Sequence, residues 1–465
     1  MKKKKITTSL SEEALKNLFS SKDFFYPKRK TILDVTPKSL SQQKIKRMTV
    51  IGWHLNLERD MSRQKKVCKV LGQALKLNKN IQELFLSFRD LFSIFKLADQ
   101  GLLYLTNSLK GLRSLQKITL WMKYGCKVTN TGLYYLMRGL QRLCWLKRLS
   151  ICFLSCLEIT NTSLKYISRS LKKMKFMESL NLEVWCKDQV TEEGMSKLNG
   201  SLNHLTRLEE VILQIPGCPG LTDRSLAEIS FRKLISLREI RLYLESNGQL
   251  TDKGLESLTQ GLKRLPNLQR VTLDLWDCPK LSDVGLHHIW KMMNNLSSLR
   301  TVRLVFSGFS KITDAVFSYL DETLKCLTLI QSFYLELYQC NEITDFGIID
   351  LCKALKKIVT LQSLSLHFRE CDQVTDSGVK EIVSCMSELK YLQKIKVDLT
   401  ENKNVTDASL KEIFQLLVFR ASLKKVTLRL NRMGRITNEE MKKFKNEVKN
   451  LEIKRPDLRI EFLNY

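Results

Sequence analysis

The sequence predicts an α/β solenoid, built from repeated strand–turn–helix segments with parallel strands on one face and helices on the other. Three observations carry that prediction. A short motif returns every 31 residues, each interval holds one stretch with apolar residues two apart, and each holds another with apolar residues three or four apart. The motif reads Ala98-Asp99, Thr129-Asn130, Thr160-Asn161, Thr191-Glu192, Thr222-Asp223, Thr251-Asp252 and Ser282-Asp283. It continues as Thr313-Asp314, Thr344-Asp345, Thr375-Asp376, Thr406-Asp407 and Thr437-Asn438. One step, from Thr222 to Thr251, is 29 residues.

The elements follow in order within each repeat. Leu364, Leu366 and Phe368 alternate with polar residues, the two-residue period of a strand with one buried face. A turn comes next, and then Thr375 and Asp376 open a helix. A side-chain oxygen there satisfies an otherwise orphaned backbone N–H, and an acidic first turn suits the helix dipole. The helix period shows in the neighbouring repeat as Leu286, Ile289, Met293, Leu296 and Leu299. Segments with one apolar face each cannot bury it alone; stacked, they share a core. Upstream, Val50, Trp53 and Leu55 predict a first strand, a helix is expected near Val67–Leu77, and Ser87–Leu97 is expected to be a long turn. Downstream, Met441–Val448 predicts a basic helix and Leu458–Phe462 a closing strand, together a C-terminal cap over about 440–465.

These residues resemble the cysteine-containing leucine-rich repeat of F-box/leucine-rich-repeat proteins and of ribonuclease-inhibitor-like horseshoes. The resemblance covers roughly residues 48–465. It implies a horseshoe with about 13 parallel strands on a concave face and helices on a convex face. The sequence departs from the family in one respect. The family's Asn or Cys usually stands nine positions into the repeat, whereas Cys340 and Cys371 stand at position eleven, which predicts longer strands.

The beat also orders the cysteines. Cys156, Cys218, Cys278, Cys340 and Cys371 each lie four residues before their Thr or Ser, Cys126 and Cys186 lie one residue off, and Asn402 takes the same slot later. A small side chain with an S–H or N–H can bond carbonyls left open in a buried turn, so a ladder of structural thiols is expected rather than a metal site. The chain has 13 cysteines and no Cys-x-x-Cys, which suggests neither a disulfide framework nor a zinc module.

Composition excludes other classes. With 43% hydrophobic and 27% charged residues and only 7 Pro, the 465-residue chain is a folded protein rather than a disordered one. Polar residues follow Lys2–Lys5 where a signal peptide would be apolar, and no run of about 18 apolar residues predicts a membrane span. An intracellular, cytoplasmic protein is expected, with ciliary, cytoskeletal or nuclear placement as variants. Pro27-Lys28-Arg29-Lys30 is a candidate nuclear-import patch. No phosphate loop, nucleophile elbow, zinc-binding His pair or calcium loop is present, so no enzyme, cofactor or small-molecule substrate is expected. The neighbouring His287 and His288 sit on different faces of a predicted helix and read as solvated rather than metal-binding.

Function is therefore expected on surfaces. Strand residues between the inward positions project onto the concave face. One column reads Trp121, Cys152, Glu183, Gln214, Tyr243, Asp274, Val305, Glu336, His367, Asp398 and Arg429; a second includes Trp185, Trp276, Tyr338 and Arg369. Aromatic rings beside acids and Arg have the composition of a protein-binding hot spot. The densest cluster is Trp276, Tyr334, Glu336, Tyr338, His367 and Arg369, with Trp121, Trp185, Tyr243 and Asp274 as further candidates. The formal charge of +29 and the runs Lys165–Lys175, Lys356-Lys357, Lys424-Lys425 and Lys442-Lys443 give a basic convex face.

Three functions compete on these grounds. The first is a non-enzymatic scaffold or adaptor, monomeric unless part of a larger assembly, that binds a protein partner on the concave face. The second is a substrate receptor of a ubiquitin ligase recruited through a leader, residues 1–47. That leader holds a capped helix, Leu10–Phe19, which faintly resembles the start of an F-box, with Ser11 where that family prefers Pro. The third is a structural component whose basic convex face binds an acidic polymer, a microtubule or RNA, in a cilium or ribonucleoprotein.

Overall fold

The computed structural model describes residues 50–56, 75–76, 79–89, 95–123, 128–153, 159–184, 189–218, 220–229, 231, 233–307 and 311–463. The leader, Cys126, Cys156, Trp185, Cys186 and the helix expected near Val67–Leu77, apart from its residues 75–76, lie outside the described residues. The chain divides into two compact units, Met1–Val190 and Thr191–Tyr465.

In the N-terminal unit the strands are β1 (Val50–Asn56), β2 (Glu83–Arg89), β3 (Lys117–Lys123), β4 (Arg148–Phe153) and β5 (Ser179–Val184). The helices are α1 (Phe95–Leu109), α2 (Asn130–Leu140) and α3 (Asn161–Leu171). Each strand pairs in parallel with the next one in the chain. The long turn expected over Ser87–Leu97 is corrected. Alternation through Leu84, Leu86 and Phe88 carries β2 to Arg89, and α1 starts at Phe95, ahead of Asp99.

The C-terminal unit holds α4 (Glu192–Leu202), β6 (Glu210–Gln214), α5 (Asp223–Ala227), β7 (Glu239–Tyr243), α6 (Asp252–Leu262), β8 (Arg270–Asp274), α7 (Asp283–Met293) and β9 (Thr301–Ser307). A single 3-10 turn (Asp314–Phe317) and α8 (Leu320–Lys325) follow. Next come β10 (Ser332–Tyr338), α9 (Asp345–Leu355), β11 (Ser363–Arg369), α10 (Asp376–Glu388), β12 (Lys394–Asp398), α11 (Asp407–Phe419), β13 (Lys425–Arg429), α12 (Asn438–Lys454) and β14 (Arg459–Phe462). Strands β6 to β14 again pair in parallel in chain order. The described strands number fourteen, against about thirteen expected. The expected lengthening holds at β9, β10 and β11, each seven residues, while β6, β7, β8, β12 and β13 have five. This is the architecture of an α/β leucine-rich-repeat solenoid.

The core lies between sheet and helices, as the two periods require. Leu364, Leu366 and Phe368 on β11 and Leu286, Ile289 and Met293 on α7 are all fully buried. A second apolar side chain per strand end, Leu275, Leu337 or Phe368, extends that core into the turn.

Two polar ladders hold the repeats in step. In the first, the Thr or Ser hydroxyl at most of the described helix starts accepts a backbone N–H two residues on, as Thr375 does from Ser377; Thr222 and Thr437 accept one three residues on, and Thr191 caps with no side-chain bond. The same hydroxyl donates to the Asp of the preceding repeat: Thr375 Oγ1 lies 2.5 Å from Asp345 Oδ2, and the Thr375 N–H lies 2.8 Å from Asp345 Oδ1. The arrangement recurs from Asp99 to Thr129, Asp223 to Thr251, Asp252 to Ser282, Asp283 to Thr313, Asp314 to Thr344 and Asp376 to Thr406. A glycine three residues after the Thr makes room for that carboxylate. A Cβ built on Gly378 would stand 2.4 Å from Asp345 Oδ1, and one on Gly347 would stand 2.2 Å from Asp314 Oδ1. Ser163 and Ser409 take the glycine's place elsewhere and bond the preceding Asn130 and Asp376. Where Val316 stands there, the helix opens as a 3-10 turn.

In the second ladder, buried cysteines and asparagines bond turn carbonyls. Cys371 Sγ donates to Leu337 O at 3.5 Å and Arg369 O at 3.6 Å, and Cys278 Sγ to Leu244 O at 3.3 Å. Asn402 donates to Phe368 O at 2.7 Å and accepts the Cys371 N–H at 2.7 Å. Asn247 fills the same slot, bonding Ile215 O, Leu244 O and the Cys218 N–H. The residue before each slot is left-handed: Gly217, Ser246, Asp277, Gln339, Glu370, Glu401 and Arg432 have φ between 52° and 65°.

Candidate functional site

Parallel pairing in register sets the rows of side chains on the sheet face turned away from the helices. Gln214, Tyr243, Asp274, Val305, Glu336, His367, Asp398 and Arg429 are successive partners across β6 to β13, so the expected column is one row. In the N-terminal unit Trp121, Cys152 and Glu183 form the equivalent row. Arg303, Tyr334, Ser365 and Lys396 form a row two residues earlier, and Ser307, Tyr338 and Arg369 one two residues later.

The expected cluster assembles, with its members at different depths. Trp276 is 47% exposed and meets the half-buried Tyr338 edge-on, with ring centroids 6.4 Å apart. The Arg369 guanidinium lies 5.1 Å from the Tyr338 ring and also faces Glu401. These three side chains form the accessible part. Beside them on the same face, in the rows two and four residues earlier, runs a polar network. Tyr334 donates its hydroxyl to Glu336, carries the Arg303 guanidinium 3.7 Å above its ring, and packs against His367 at 4.7 Å. His367 Nδ1 is 3.6 Å from Asp398 Oδ2, which also pairs with Arg429 at 3.3 Å.

His367 and Asp274 are buried, so, against the expectation for contact residues, neither presents its side chain to solvent. A residue whose position in the strand points it at the open face is still covered when longer neighbours lean over it. Tyr243 is half-buried, and Trp121 is half-buried against Phe85 at 5.0 Å.

Burial sets the electrostatics of the network. It pushes the Asp274 carboxyl up to about 7, aided by Glu245 and Glu336. Burial also lowers the Lys396 ammonium to about 8, with Arg429 adding repulsion. For Asp398 burial acts upward, but hydrogen bonds from His367 and Thr400 overcome it and hold the carboxyl at about 2. Burial lowers His367, which favours the neutral ring. Tyr334 is pushed up by burial and by Glu336, so it remains a donor. Arg303 and Lys396 lie outside the expected site; the row two positions before the chosen column would have located both.

The basic segments also separate on inspection of their partners. Lys356 pairs with Glu381 and Glu388, and Lys357 with Asp321, so that pair is neutralised. Lys425 begins β13 rather than ending a helix and meets Glu461 at 3.0 Å. His287 packs on Tyr319 at 3.9 Å. Among the described residues no group of three or more His, Cys, Asp or Glu could hold a metal ion, and no helix is long and apolar enough to cross a membrane.

No family model matches the chain, and no curated protein matches it. Among solved structures, the chain is similar to one in the crystal structure of the Rad7 and Elc1 complex in yeast. That alignment has 17% identity and a TM-score of 0.42, and covers 86% of this chain and 92% of that one. At such values the likeness adds nothing to what the repeat geometry itself defines.

Proposed function

We propose that the protein is a non-enzymatic scaffold or adaptor that captures a protein partner on the open sheet face of its C-terminal unit. The observation that supports this reading is the Trp276–Tyr338 ring pair, half open to solvent beside Arg369 and next to the hydrogen-bonded Tyr334 and Glu336 on the same sheet face. Rings held in place contribute contact area without a large loss of side-chain freedom on binding, and Arg adds a directed donor. Because the core is packed by Phe333, Leu335 and Leu337 on the opposite face of β10, the rings can be removed without opening it.

The test is quantitative capture from cell extract by the tagged full chain and by the Trp276→Ala/Tyr338→Ala double variant. Loss of one stoichiometric partner with unchanged circular dichroism supports the reading, and equal capture by both refutes this site. The rival reading, a ubiquitin-ligase receptor, predicts instead a cullin adaptor that disappears when residues 1–47 are deleted.

A further inference from the structure

We propose that the helix face of α2 and α3, in the N-terminal unit, binds single-stranded nucleic acid. Residues 128–153 and 159–177 contain nine Lys and Arg and no Asp or Glu. Helix α2 contributes Arg138 and, just past its end, Arg142; α3 contributes Lys165 and Arg169 and, just past its end, Lys172 and Lys173. All six are exposed.

The repeat makes this a patch. The 31-residue offset sets Arg138 beside Arg169 and Arg142 beside Lys173, while Lys165, Arg169 and Lys173 recur every four residues along one stripe of α3. Among the described residues, the ion pair of Lys147 with Glu178 at 2.8 Å is the one these segments make. The contrast with Lys356 and Lys357, each paired, separates this face from an ordinary solvated helix surface. The neighbouring cations repel one another, so a bound anion relieves a strain that solvent only screens.

A second observation favours nucleic acid over other polyanions. The same offset brings Trp145 and Phe176 together at the end of the patch, stacked at 4.9 Å with 28° between their planes, and Trp145 is 58% exposed. Tyr134, 36% exposed, stands over Tyr166 at 5.1 Å on the same two helices. Cations interleaved with solvent-facing rings fit phosphates and bases together, since any base can stack on such a platform. An acidic protein would use the cations alone. An anionic membrane would call for exposed aliphatic side chains, which α2 and α3 do not present.

The full chain is titrated with a labelled oligo-uridine of about 12 nucleotides, with poly-glutamate and phosphatidylserine vesicles as competitors, across a salt series. Binding should weaken steeply with salt. Trp145→Ala should weaken it roughly tenfold at fixed salt, and Phe176→Leu, which keeps the packing but not the ring, should weaken it in the same direction. Lys172→Ala/Lys173→Ala should reduce the salt slope by about 1 to 2. The control Lys442→Ala/Lys443→Ala, on α12, should change neither. Absence of binding at low salt overturns the proposal. So does binding that poly-glutamate or vesicles displace equally well and that Trp145→Ala leaves unchanged.

Discussion

Substituting Gly378 with alanine tests how the repeats lock together, because its sign depends on a residue in another repeat. In an exposed helix, Gly→Ala stabilises by about 1 kcal/mol. At Gly378 the new Cβ would stand 2.4 Å from Asp345 Oδ1 and must displace a carboxylate that accepts three bonds. These come from the Thr375 N–H at 2.8 Å, the Thr375 hydroxyl at 2.5 Å and the Gly378 N–H at 3.0 Å. Hydrogen bonds to a charged acceptor contribute about 1.5 kcal/mol or more each, and they do not add fully. Disturbing this set should outweigh the gain in helix propensity, leaving Gly378→Ala destabilising by about 2–3 kcal/mol. In an Asp345→Ala background the carboxylate is gone and Val374 Cγ1, at 3.3 Å, is the close neighbour left, so the same substitution should become neutral or stabilising by up to about 1 kcal/mol. Native-state hydrogen exchange of α9 and α10 in the four proteins of this cycle measures the coupling where it arises, which suits a repeat array that need not unfold in one step. Equal destabilisation in both backgrounds would refute the account.

Other outcomes follow from the same geometry. Asp274 is raised from its ordinary 3.8 to about 7, so the folded chain keeps a proton that the unfolded chain has lost, and stability falls as pH rises between those values. The upper limit is about 4 kcal/mol, and Asp274→Asn should therefore raise the melting temperature at pH 8 but not at pH 4. Asp398, held at about 2, works oppositely: its contribution is present above about pH 4 and disappears on acidification, and Asp398→Asn should flatten the acid limb of a melting-temperature profile. Asn402→Ala removes the bond donated to Phe368 O and the bond accepted from the Cys371 N–H, and should cost about 2–3 kcal/mol, seen as faster hydrogen exchange of the Cys371 amide. Of the described cysteines, Cys144 and Cys326 are exposed while seven are buried. Those two should react with a thiol reagent in the native protein, and the ladder thiols only after denaturation.

The architecture was legible because it repeats: a period of 31 residues with alternating two- and 3.6-residue sub-periods is visible without a structure, and so were the Cys and Asn402 slots. Asn247 could have been read from the same beat. Other features depend on neighbours in space. Asp345 and its equivalents read as capping residues, since nothing local reveals that the carboxylate serves the next repeat as well. The glycine three places after each Thr was the available signal, as only a close approach requires its missing Cβ. In the candidate site, alternation placed Trp276, Tyr338 and His367 on one face correctly. It could not give depth, which is decided by whether Tyr334 and Arg303 lean across. The start of α1 was missed because Asp99 keeps its bond to Thr129 from inside the helix rather than at its start.

Because each Asp reaches only the helix start one repeat further along, the linkage is strictly nearest-neighbour, and the protein can be treated as a string of interchangeable cassettes. A segment cut from one Thr to the residue before the next carries one socket and one plug. Duplicating or excising whole cassettes between Thr313 and Thr406 would leave each junction with a matched donor and acceptor. The molecule's length could then change in whole steps, although excising the cassette that opens at Thr313 would also take Tyr334, Glu336 and Tyr338 with it.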